Sequence, residues 1–121
     1  MFTVKVKDHI MIAHSLPDPY FGPAQHMHGA TYVVEVSFIS DQLNEKNVVI
    51  DMGLASDITK EVLGELAYKN LDEIPHFIGI LTTTEFLAKY IHGKIKERLS
   101  ESFVIKVELL ESHVASASYE A

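Results

Sequence analysis

Cysteine is absent from all 121 residues, and that gap removes disulfides, zinc–thiolate centres and any thiol nucleophile. Positive charge is thin as well. Ten Lys and Arg stand against seventeen Asp and Glu, a formal charge of −7 with histidine neutral. No basic block interrupts that balance. Nucleic acid and anionic membrane both need a basic footprint, so neither is expected as a partner, whereas a small anion is compatible if a few cations line its pocket. No apolar run approaches the roughly 20 residues of a membrane helix. The opening MFTVKVKDHI alternates apolar with charged residues and lacks the apolar stretch of a signal peptide. The expected compartment is the cytoplasm. Internal repeats and low-complexity segments are missing too.

What is present is an ordinary globular composition, 47% hydrophobic and 22% charged, at a length that suits one domain over 1–121. A chain of this size buries only about two-thirds of its unfolded surface, so association with copies of itself is expected to add stability.

Phe2, Val4 and Val6 alternate with Thr3, Lys5 and Lys7, the period-two pattern of a half-buried strand. The same parity runs through Ile10 and Ile12 to His14. A loop over 16–25 follows, broken by Pro17, Pro19, Gly22 and Pro23. The next strand, 30–40, puts Tyr32, Val34, Val36 and Phe38 on one face and Thr31, Glu35 and Ser37 on the other. A polar turn and the short apolar run at 48–50 precede a helix from Met52, where Ala55, Ile58, Val62 and Leu66 share helical spacing. Residues 70–75 read as a loop. A second helix starts near Thr82, with Thr82 and Glu85 as a T-x-x-E capping box. Its buried stripe is Leu87, Ile91, Ile95 and Leu99, with Phe86 and Tyr90 beside it. Two strands over 103–111 and 115–120 close the chain. The order predicts an α+β fold, a four-stranded antiparallel sheet with two helices on one face. Its two edges need cover, which further copies would supply.

Three constellations carry candidate chemistry. His26 and His28 are two apart, so on an extended segment their imidazoles point the same way, and His14 ends an inward stripe. Three neutral imidazoles plus water make an open zinc site, although surface or hydrogen-bonded histidines are the commoner outcome. Glu111 shares parity with Phe103, Ile105, Val107 and Leu109. Either it is a buried carboxylate in need of a cation, donor pair or ligand, or the strand has emerged into solvent. Thr82, Thr83, Thr84 and Glu85 cap a helix. If Thr82 does the capping, Thr83 and Thr84 stay free for a ligand at the helix N-terminus. Among the other histidines, His92 is expected to be exposed beside Gly93. His113, two positions past Glu111, is a weak acid–base candidate.

With these residues in place the chain resembles, over nearly its whole length, the 6-pyruvoyl/6-carboxy-tetrahydropterin synthase family. Ala13-His14-Ser15-Leu16 and His28-Gly29-Ala30-Thr31-Tyr32 resemble its "A-H-x-L" and "H-G-H-N-Y" signatures. Lys69-Asn70-Leu71-Asp72, followed by Ile74-Pro75-His76-Phe77, resembles "D-H-K-N-L-D-x-x-P-Y-F". Thr83-Thr84-Glu85 resembles the start of the family's second helix, and Glu111-Ser112 its terminal "E-T". The resemblance implies the tunnelling fold, in which three subunits join their sheets into a twelve-stranded barrel and two barrels stack as a hexamer. It implies a pterin pocket between subunits, with Glu111 on the amino and amide N–H edge of the ring and Thr83 and Thr84 on its carbonyl or ring nitrogens. The family's zinc is held by the histidine of "A-H-x-L" and both histidines of "H-G-H". Its proton is moved by a cysteine, aided by an Asp-His pair.

The departures touch all three groups. Ala30 replaces one zinc ligand, the cysteine is gone, and the Asp-His pair reads Ala67-Tyr68. The family's reaction is therefore expected to be absent or very slow. His26 has the parity of Ala30 but lies on the other side of His28, about 13 Å away on an extended chain. No cofactor is expected, with a degenerate zinc site on His14, His28 and His26 left open. Three functions follow: a homologue that binds a pterin-like ligand, a metal-independent aldolase or lyase using Tyr68 with His113 or Lys69 on a dihydropterin, or a non-catalytic pterin- or purine-sensing or assembly protein.

Overall fold

The computed structural model describes residues 1–121. Strand β1 (Phe2–His14) leads through a 3-10 turn (Pro19–Gln25) to β2 (His28–Ser40) and helix α1 (Met52–Gly64). Two further 3-10 turns (Leu71–Glu73, Pro75–Phe77), helix α2 (Thr84–Lys96) and strands β3 (Val104–Leu110) and β4 (Ser116–Glu120) complete the chain. The strands form one antiparallel sheet in the order β1-β2-β3-β4.

Alternation decides which face is buried. Val6, Ile10, Ile12 and His14 of β1 point inward, while Lys5, Lys7, His9 and Met11 point to solvent. The ladder runs unbroken from Phe2↔Ser40 to His14↔His28, so parity is kept for the whole strand and both histidines arrive at one end side by side. Val33 pairs with Leu110, which brings the next residue, Glu111, to the level of Tyr32. The outer face carries charges instead, with Lys5 2.9 Å from Glu35 and Lys106 3.8 Å from Glu108; pairs at the sheet surface, each with one side chain more than a third exposed, add little stability.

Both helices lay an apolar stripe on the inner face. Ala55, Ile58 and Val62 of α1 and Leu87, Ile91 and Ile95 of α2 join Val34, Val36, Phe38, Ile105 and Val107 in one contiguous core. Arg98, just past α2, ties the helices together through Glu61 (3.3 Å) and Glu65 (3.1 Å). Asp51 caps α1 by accepting from the Leu54 amide at 2.8 Å. No helix is long and apolar enough to cross a membrane.

Several expectations need correction. The cap of α2 is Thr83, whose hydroxyl oxygen accepts from the Phe86 amide at 3.1 Å; Thr82 lies one residue earlier, is 1% exposed and serves another purpose. Strand β2 starts at His28, two residues sooner than its side-chain pattern predicts, because pairing with β1 extends that far. Leu66 and Leu99 lie beyond the helix ends, and Leu99 is only half-buried. His92 is buried, because β4 folds against α2: its Nε2 donates to the Ala121 carbonyl at 3.1 Å and its ring meets Tyr119 edge-on.

Candidate functional site

Where the apolar stripes of β1, β2 and β3 run out, polar groups take over. His14 ends β1 and is 3% exposed. Its Nδ1 lies 3.0 Å from the Thr82 hydroxyl, and its ring sits 4.6 Å from that of His28, edge to face. His28 is half-buried, and its Nδ1 donates to the His26 carbonyl at 2.8 Å. Burial holds the His14 pKa below its ordinary value and the neighbouring His28 pushes it the same way. The Thr82 backbone, Asp72 and Glu111 pull weakly upward. His14 is thus a neutral imidazole at neutral pH.

The end of β1 is fixed from outside by the Lys69–Asp72 segment. The Ala13 amide donates to the Lys69 carbonyl at 3.0 Å, the Ser15 amide and hydroxyl both donate to the Asp72 carboxylate, and Asn70 caps the turn by accepting from the Asp72 amide. Asn and Asp two apart before a short turn are the signal for this clamp. In the sequence the segment shows as a loop over 70–75 and as a family signature, without this contact to β1.

Tyr32 is the second buried polar side chain of the site, 1% exposed, with its hydroxyl 3.5 Å from Thr84 Oγ1. Burial raises its pKa; the Thr84 contact lowers it, and the nearby Glu111 and Glu85 charges raise it further. Glu111, Thr84, Tyr32 and His14 therefore lie within electrostatic reach of one another. Glu111 itself is exposed, which settles its two readings in favour of emergence. The β3 ladder ends at Leu110, and the Glu111 amide turns to the Ala115 carbonyl at 3.1 Å. Thr83 lends its hydroxyl oxygen to the cap of α2.

Tyr68 and His113 are not brought together. Tyr68 stands at the outer edge of β1, 82% exposed, in the left-handed region at φ 62°, with its amide donating to the Met11 carbonyl. With Lys69, Asn70, His76 and Tyr90 it lines a cleft of about 740 Å3. His113 is exposed in the β3–β4 turn, with β2 and β3 between the two. That cleft does not include His14; the buried, partnered polar groups concentrate instead at the sheet end, and we place the candidate site there.

The donor set does not fit a three-imidazole metal ion. No three His, Cys, Asp or Glu side chains come together. His26 is exposed and gives only its backbone carbonyl to His28, while Ala30 occupies the half-buried position beside Ile12 where a third inward side chain would stand.

Comparison with known proteins agrees with the fold. A family model described as 6-pyruvoyl tetrahydropterin synthase matches residues 3–121. The chain is 32% identical over 94 residues to the 6-pyruvoyl tetrahydrobiopterin synthase of Dictyostelium discoideum, a match covering 76% of this chain and 69% of that protein. It is 28% identical over 119 residues to the 6-carboxy-5,6,7,8-tetrahydropterin synthase of Aquifex aeolicus, covering 78% and 74%. The solved structure of the Caenorhabditis elegans 6-pyruvoyl tetrahydropterin synthase superposes with a TM-score of 0.88 at 23% identity, over 99% of this chain and 95% of that one. With its four-stranded sheet and helix pair in the arrangement of the tunnelling fold, the chain belongs to the 6-pyruvoyl tetrahydropterin synthase family.

Proposed function

We propose that this protein binds a pterin-like small molecule at the His14 end of the sheet and does not run the standard synthase reaction. Glu111 takes the amino and amide N–H edge of the ring, and Thr83 and Thr84 meet its carbonyl or ring nitrogens. The observation that carries this reading is the gathering of Glu111, Tyr32 and Thr84 beside the start of α2 in a chain of this family. An exposed carboxylate next to helix-terminal hydroxyls offers acceptors and donors in the order a pterin edge requires. Glu111 lies exposed at the sheet end of the single protomer, which suits completion of the site by a second copy, and we propose a homohexamer of two stacked three-copy barrels. Neither nucleic acid nor membrane is a partner in this reading, and the compartment is the cytoplasm.

The missing cysteine, the Ala30 substitution and the Ala67-Tyr68 pair support loss of the reaction. A metal-independent aldolase or lyase step by Tyr68 is the second reading. It is favoured by one observation, the cost of about 1 kcal/mol or more that a non-glycine residue bears in the left-handed region, accepted here to hold an exposed phenol. The test is incubation with dihydroneopterin triphosphate, with and without added zinc. No release of triphosphate is expected, and robust release overturns the claim of lost activity. Turnover of a dihydropterin that Tyr68→Phe abolishes would establish the second reading instead.

A further inference from the structure

The cleft between the end of α1 and helix α2 is separate from the sheet end, since none of His14, Thr84 and Glu111 lines it. Its volume of about 740 Å3 falls within the roughly 300–1,000 Å3 of small-molecule sites. One wall is aromatic and well packed. The Tyr90 hydroxyl lies 3.0 Å from His76 Nε2, and the two rings stack at 20° with centroids 5.7 Å apart. Phe77, 2% exposed, meets both rings edge-on, at 4.6 Å from His76 and 4.9 Å from Tyr90. Burial raises the Tyr90 pKa and Lys94 offsets this only in part, so the phenol stays neutral. His76 itself is exposed. Tyr68, 82% exposed, lines the same cleft from the segment that follows α1. Exposed aromatic side chains on one concave surface are apolar area that a flat ring can cover.

The charges of the cleft are sorted as well. Lys69 and Lys94 both line it, in a chain whose formal charge is −7. Lys69 takes part in no ion pair. Lys94 has only a 3.8 Å contact with the exposed Glu97, and its Nζ stands 5.6 Å from the centre of the Tyr90 ring. Of the two carboxylates in the lining, Glu65 is held by Arg98 at 3.1 Å, which leaves Glu73 unpaired. We propose that this cleft is a second ligand site, one that takes a flat aromatic ring bearing a single negative charge. Lys69 and Lys94 attract the anion, and Tyr68 and His76 cover the ring. An aliphatic acid of the same charge gains the lysines alone. A cationic ring is repelled by them, and a second negative charge meets Glu73.

Histidine ring NMR on the whole protein, titrated with 2-naphthoate, tests the site. The His76 signals should move saturably while those of His14 stay in place. The dissociation constant should be about tenfold below that of cyclohexanecarboxylate, which has the charge without the flat ring, and 2-naphthylmethylammonium should not saturate. Lys69→Ala and Lys94→Ala should each weaken 2-naphthoate by up to about fivefold. Lys46→Ala, an exposed cation in the turn before α1, should leave it unchanged. Glu111→Ala should leave it unchanged too, so that this site and the proposed pterin site stand or fall separately. A His76 ring that never moves, equal affinity for the aliphatic acid, or full affinity in both lysine variants overturns the proposal. So does a shift of His14 with loss of binding in Glu111→Ala, which would put 2-naphthoate at the sheet end.

Discussion

Along the inner face of the sheet, the middle and the His14 end lie a few residues apart on the same strands and are held by different forces. Val34, Val36, Phe38, Val107 and Leu109 are 0% exposed in the middle, where burial is non-directional and any close-packed apolar shape contributes. At the end, His14, Tyr32 and Thr82 are nearly as buried, but each depends on a particular polar partner. The comparison teaches that equal burial does not mean equal purpose. The middle should carry stability and the end should carry binding, and substitutions can pull the two apart.

The largest effect is expected in the middle. Phe38→Ala removes a ring packed edge-on against Phe103 with centroids 5.6 Å apart, and should cost about 3–5 kcal/mol of stability in urea unfolding. Glu111→Ala is the counterpart at the end. Because Glu111 is exposed, stability should change by no more than about 0.5 kcal/mol. Pterin affinity should fall roughly thirtyfold, the value of about 2 kcal/mol for a charge-assisted contact. A loss of stability comparable to that of Phe38→Ala would erase the division between middle and end. Thr83→Ala falls between the two, since the residue serves both the helix and the proposed ligand. Loss of the cap should cost about 1 kcal/mol, read from the unfolding midpoint, with Thr83→Asn restoring stability but not ligand affinity.

The middle was legible in the sequence because period two and period 3.6 report directly which side chains share a face. Val6, Ile10, Ile12, Tyr32, Val34, Val36 and Phe38 all lie where their spacing puts them. The end was legible only in part, because its partners are distant in the chain. Thr82 and Thr83 are interchangeable to a capping template, and the choice between them is made by His14, sixty-eight residues away. His92 sits on a helix beside a glycine and looks solvated until β4 packs over it. Glu111 keeps the parity of a buried stripe, but parity governs orientation only while the ladder lasts, and the ladder stops one residue earlier. Strand alternation aligns His26 with His28, yet β2 begins at His28, so His26 belongs to the loop and its ring follows no strand face.

The smallest expected effect is also the one that separates middle from end without a ligand. Burial and the adjacent His28 hold the His14 pKa below its ordinary 6.5 in the folded protein, so between the two values the unfolded chain binds more protons than the folded one. Stability then rises with pH across that interval. It is fully present above 6.5, declines as the pH falls through 6.5 towards the lowered folded value, and levels off below it. Urea midpoints at about pH 8 and about pH 5 measure the drop. His14→Gln should shrink the drop, because the variant no longer has that proton to bind on unfolding. Phe38→Leu should lower both midpoints and leave the difference between them unchanged, since nothing in its surroundings titrates. If His14→Gln shows the full wild-type drop, the acid sensitivity belongs to other groups, and the contrast between the end and the middle of the sheet is then one of packing alone.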